Sequence, residues 1–127
     1  MKKYQDILKF SQYLVPEAAI ETWHGGEESN GVTQIPFVVY NIKVDEFLEA
    51  FASSGCIVRN YSDRMNEAGW YDEKKLRKDI AHMSDTDVLT CLTAIIAHDR
   101  LNEGLFGAFV KDGTIAALLE RLNELAE

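Results

Sequence analysis

One stretch constrains this chain more than any other. Leu92-Thr93-Ala94-Ile95-Ile96-Ala97-His98-Asp99-Arg100-Leu101-Asn102-Glu103-Gly104 is a strongly apolar helix that runs into a knot of ionisable residues. Acids and bases beside a hydrophobic face need partners, so the knot is either a stabilising ion-pair cluster or a functional site. The rest of the chain has to pack around that helix.

With 127 residues the chain fits one domain. A domain of that size buries about two-thirds of its unfolded surface and needs neither disulfide nor metal to hold together. The formal charge of −8 disfavours nucleic acid and anionic membranes, because the summed field repels phosphate. An acidic surface keeps a chain soluble or suits a basic protein partner. Cys56 and Cys91 are the only cysteines and read as free thiols. No signal-peptide core follows Lys2 and Lys3, and no apolar run is long enough for a membrane span, so a cytoplasmic location is expected.

Tyr4, Ile7, Leu8, Ser11, Leu14 and Val15 lie at helical spacing and predict a first helix closed by Pro16. Ile20–Trp23 and Val32–Tyr40 read as strands of a β-hairpin, with Asn30-Gly31 as a turn signal and Pro36 marking an edge or a break. Val44, Phe47, Leu48 and Phe51 predict a second helix capped near Gly55, and Cys56–Val58 a short strand. Asn60–Gly69 is ambiguous. Asp72–Met83 predicts a helix in which Glu73 and Arg77, and Lys75 and Asp79, form i,i+4 pairs on a solvated face. Ser84 is placed to cap the next helix, whose buried face is Val88, Leu89, Leu92, Ile95 and Ile96. After a break at Asn102–Gly104, Leu105–Val110 and Ile115–Leu125 give two more helices. The whole predicts a mostly helical, single-domain α+β fold with a small antiparallel β-hairpin or sheet.

Several segments carry possible chemistry. His98-Asp99 invites comparison with histidine-aspartate metal hydrolases, but the three histidines occupy separate segments, so no metal is expected. Asp99 and Glu103 are four apart and can share a helix face, where two carboxylates can do acid-base work or hold Arg100. Structural pairing of Arg100 with Asp99, Glu103 or Glu27 is the preferred reading. Trp23-His24-Gly25-Gly26-Glu27 offers an aromatic surface and glycines that admit close approach, yet it lacks a phosphate-binding pattern. The plainer reading of that segment is a hairpin loop with Trp23 in the core. No nucleophile, catalytic residue or cofactor site emerges. Leu105, Phe106, Phe109 and Val110 carry more apolar surface than one short helix usually hides, which predicts a symmetric homodimer.

Trp23, Gly25-Gly26-Glu27, Gly31, Ile35-Pro36-Phe37-Val38-Val39-Tyr40, Leu92-Thr93, Asp99-Arg100, Glu103-Gly104 and the Gly113-x-Ile115 ending together resemble a family of small bacterial proteins classed as domain of unknown function 6508. The resemblance spans nearly the whole chain. It departs at Leu101, where members usually carry phenylalanine, and near Ala97, where they carry a basic residue. It implies no activity, but it implies that Trp23–Glu27, Asp99, Arg100, Glu103 and Gly104 belong to the signature and His98 does not. The function expected is a non-catalytic binding or regulatory module that meets a protein or small-molecule partner at Trp23, Gly25, Gly26, Glu27, Asp99, Arg100 and Glu103. The rivals are a small hydrolase using Asp99 and Glu103, and an acidic inhibitor of a basic partner.

Overall fold

Helix capping sets much of the architecture. In the computed structural model, which describes residues 4–24, 28–29, 32–33 and 37–126, Ser84 and Asp87 form a reciprocal capping box: each side chain accepts from the other's backbone N–H at 3.1 Å. That box starts α5 (Asp85–Asp99), and such caps stabilise a helix by about 1 kcal/mol. Asn41 Oδ1 caps α2 (Ile42–Ser53) by accepting from the amides of Lys43 and Val44. Asp72 does the same for α4 (Glu73–Asp79) through Lys74 and Lys75.

Among the described residues there are seven α-helices and four short strands, a mostly helical α+β fold as the sequence predicts. The remaining helices are α1 (Gln5–Leu8), α3 (Tyr61–Ala68), α6 (Leu105–Lys111) and α7 (Thr114–Leu125). Helix α5 packs against α3, α6 and α7, and Val88, Cys91 and Leu92 on it are fully buried. Phe47, Phe51, Phe106, Leu118 and Leu122 complete the centre of the core. Arg64 ties α3 to α5, donating through Nη2 to Asp87 and through Nε to Thr90, both at 3.1 Å. No helix among the described residues is long and apolar enough to cross a membrane.

Strand β1 (Glu21–His24) pairs antiparallel with β4 (Phe37–Tyr40), and β2 (Glu28–Ser29) with β3 (Val32–Thr33). The turn signal at Asn30-Gly31 and the break at Pro36 lie outside the described residues. In the β1–β4 register Glu21 faces Tyr40 and Trp23 faces Val38. Directly opposed residues share a face of an antiparallel pair, so these four form one face and Thr22, Phe37 and Val39 the other. The first face meets α6 and the turn before it. Phe37 and Val39 on the second are exposed.

The structure corrects several expectations. The first helix is not continuous: α1 ends at Leu8, and Ser11–Tyr13 forms a 3₁₀ turn, with Ser11 Oγ donating to the Leu8 carbonyl at 2.7 Å. Serine bonding its own backbone competes with the helical ladder, which is why an apolar spacing that suits a helix gives two short pieces. Cys56–Val58 is not a strand, because the Val58 amide donates to the Thr93 side chain instead of a ladder. The ambiguous Asn60–Gly69 segment contains α3, which buries only Met65 and therefore shows little apolar periodicity. The helix predicted over Asp72–Met83 tightens into a 3₁₀ turn at Ile80–His82. Both i,i+4 pairs on α4 form, Lys75 with Asp79 at 2.8 Å and Arg77 with Glu73 at 3.9 Å. Phe106, Phe109 and Val110 are buried within the chain and Leu105 is half-buried, so the apolar surface that suggested a dimer through α6 is already covered.

Candidate functional site

The ionisable end of α5 meets the inner face of the β1–β4 pair, and two kinds of residue separate there. The first kind holds the pair in place. Asp99 Oδ1 accepts from the Tyr40 hydroxyl at 2.8 Å and from the Phe106 amide at 2.9 Å, joining β4 to the start of α6. Tyr40 in turn accepts from the Gly107 amide at 3.2 Å. Burial pushes the Tyr40 hydroxyl well above the ordinary phenol range; the Gly107 N–H pulls it down, and the bond to Asp99 and the nearby Glu21 push it further up. Tyr40 is therefore a protonated donor at neutral pH, unsuited to act as a base. Glu103 accepts through Oε2 from the Val38 amide at 3.3 Å, a further link from the turn to β4.

Glu21 sits on the same face. Its side chain is 6% exposed, and Oε1 is ion-paired with Lys111 of α6 while Oε2 is buried without a hydrogen-bond partner among the described residues. The carboxylate lies against Gly107, where a Cβ would collide with it. Glycine inside α6 is thus explained by close approach of a neighbouring side chain. Sequence reasoning missed Glu21, Tyr40, Gly107 and Lys111. The available signals were the alternation that places Glu21 and Tyr40 with Trp23 on one strand face, and a glycine interrupting a helix.

The second kind of residue is left open to solvent. Trp23 is not in the core: it is 50% exposed, its ring lying over Gly104. Arg100 is exposed and forms no ion pair with Asp99 or Glu103, contrary to the expectation from spacing. The reason is geometric. Asp99 is drawn to Tyr40 and Phe106, while Arg100 caps the end of α5 with its side chain in solvent. Leu101 beside it is 91% exposed. Of the predicted surface, Trp23, Asp99, Arg100 and Glu103 are brought to one end of α5, whereas Gly25, Gly26 and Glu27 lie outside the described residues.

His98 points away from this end, toward the rings of Tyr61 and Tyr71. Among the described residues no group of three or more His, Cys, Asp or Glu is placed to hold a metal ion. Both cysteines are buried, and burial pushes the Cys91 thiol up to about 12, where it is a poor nucleophile. The model of a family of unknown function, DUF6508, matches residues 1–127. No curated protein matches the chain, and no solved structure does.

Proposed function

Since the chain belongs to DUF6508, a family of unknown function, its role has to be argued from its own geometry, and we propose that it is a non-catalytic binding module whose partner meets Trp23, Arg100 and Leu101. The observation that carries this is the contrast at the end of α5. Asp99 and Glu103 are engaged in holding β4, while the Trp23 ring and the Arg100 side chain lie at the surface, Arg100 without a carboxylate partner among the described residues. Tryptophan and arginine are among the side chains enriched at protein–protein hot spots, and the exposed Leu101 adds apolar area beside them. A protein surface presenting a carboxylate for Arg100 and an apolar side chain for Trp23 and Leu101 fits best. The hydrolase reading is weaker, because Asp99 accepts two structural hydrogen bonds on one oxygen and Tyr40 is fixed as a donor.

A photo-crosslinking side chain at Leu101, with a second at Glu120 on α7 as control, tests the proposal in a lysate of the source cell. A discrete adduct is expected from position 101 alone, lost in Trp23→Ala and in Arg100→Ala while both variants keep wild-type circular dichroism. The adduct mass distinguishes another protein from a second copy. No adduct, or one indifferent to both substitutions, contradicts the proposal.

A further inference from the structure

We infer that a second, separate site binds small cyclic or aromatic amines, in a cleft between α3, α4, α5 and α6. The cleft is half open to solvent and offers about 130 Å³, with Leu76, Ala94 and Phe109 forming apolar wall and Trp70, Glu73 and His98 also lining it. A cavity of about 150 Å³ lined by apolar side chains is enough to take up benzene, so a single six-membered ring is the body this space suits.

The polar groups around the void decide the rest of the ligand. Trp70 Nε1 already donates to Asp79 at 3.0 Å, and Asp79 also holds Lys75 at 2.8 Å, so the indole N–H and that ammonium are both engaged. His98 is half-buried, with ring centroids 5.5 Å from Tyr71 and 6.3 Å from Tyr61, and its nitrogens have no hydrogen-bond partner among the described residues. Glu73 is only weakly neutralised: Arg77 stands 3.9 Å from it and is closer, at 3.3 Å, to Asp112. The Glu73 carboxylate, held only loosely by Arg77, and the His98 imidazole, which has no hydrogen-bond partner among the described residues, are therefore left to meet a ligand, set among aromatic rings that attract cations. An apolar ring carrying one ammonium satisfies both the void and its lining. The same ring carrying a carboxylate would meet Glu73 with like charge. The chain's net charge of −8 acts in the same direction.

Amide chemical shifts followed during titration with benzylamine, benzoate and benzyl alcohol test the site. Benzylamine is expected to shift the Ala94, Ile95, His98 and Leu105 amides saturably, with benzoate at least about tenfold weaker. The exposed substitution Glu73→Gln should remove most of that preference, and Ala94→Leu, which fills the void, should abolish the shifts for every probe. Trp23→Ala and Arg100→Ala should leave them unchanged, which separates this site from the one at the end of α5. Equal binding of all three probes, absence of shifts at these amides, or a preference that survives Glu73→Gln overturns the inference. The Glu73→Gln result stands even if Ala94→Leu fails to fold.

Discussion

Asp99→Ala is expected to lower stability by about 2 to 4 kcal/mol, the sum of two hydrogen bonds to a charged acceptor, reduced because the carboxylate is only partly buried. The substitution leaves the Tyr40 hydroxyl and the Phe106 amide without their acceptor, and Phe106 is fully buried. It also loosens the register in which β4 lies against α6. Asp99→Asn keeps an oxygen in the same position and should cost about half as much, because a neutral acceptor makes weaker bonds. Tyr40→Phe removes one of the two donors, so combining it with Asp99→Ala should cost less than the sum of the single changes by about 1 kcal/mol. Urea unfolding of the wild type, the singles and the double reads all of this. Strict additivity would mean that the Tyr40–Asp99 contact contributes nothing.

Gly104→Ala should cost a similar amount for a different reason. Gly104 has φ +88°, and a Cβ there would lie 2.5 Å from Trp23 Cζ2 and 3.0 Å from Cη2. A left-handed alanine costs about 1 to 2 kcal/mol. Displacing the ring or straining against it adds about 1 to 3 kcal/mol. Gly55 supplies the control, since its φ is +72° and nothing lies within 4 Å of a Cβ. Gly55→Ala should show the backbone cost alone. In a Trp23→Ala background the extra cost of Gly104→Ala should disappear, and in the single variant Trp23 fluorescence should shift as the ring leaves its seat. Equal losses for Gly55→Ala and Gly104→Ala would mean that Trp23 does not rest on Gly104.

Much of the helical frame was legible in the sequence because capping and periodicity are local. Ser84, the stripe along α5 and the glycine after α2 all act over one or two turns. The hairpin was legible from its β-branched and aromatic residues, such as Phe37-Val38-Val39-Tyr40, which favour strands. What escaped depends on partners distant in sequence. The Val58 amide finds Thr93 rather than a strand, and α3 is held by Arg64 reaching Asp87, so neither leaves an apolar pattern. The same holds at the site. Spacing puts Arg100 beside two carboxylates, but Tyr40 and the Phe106 amide compete for Asp99 from β4 and α6 and win it. Trp23 read as core because large aromatics usually are, and only the closeness of Gly104 reveals that it is seated on the surface instead.

The proposed function divides labour at the end of α5, with Asp99 as frame and Arg100 as recognition surface. The urea denaturation midpoint of Arg100→Ala tests it most directly. An exposed arginine that pairs with neither Asp99 nor Glu103 should leave stability within about 0.5 kcal/mol of wild type. A loss of about 3 kcal/mol or more would place Arg100 in a buried ion pair and make it part of the frame, contradicting the account.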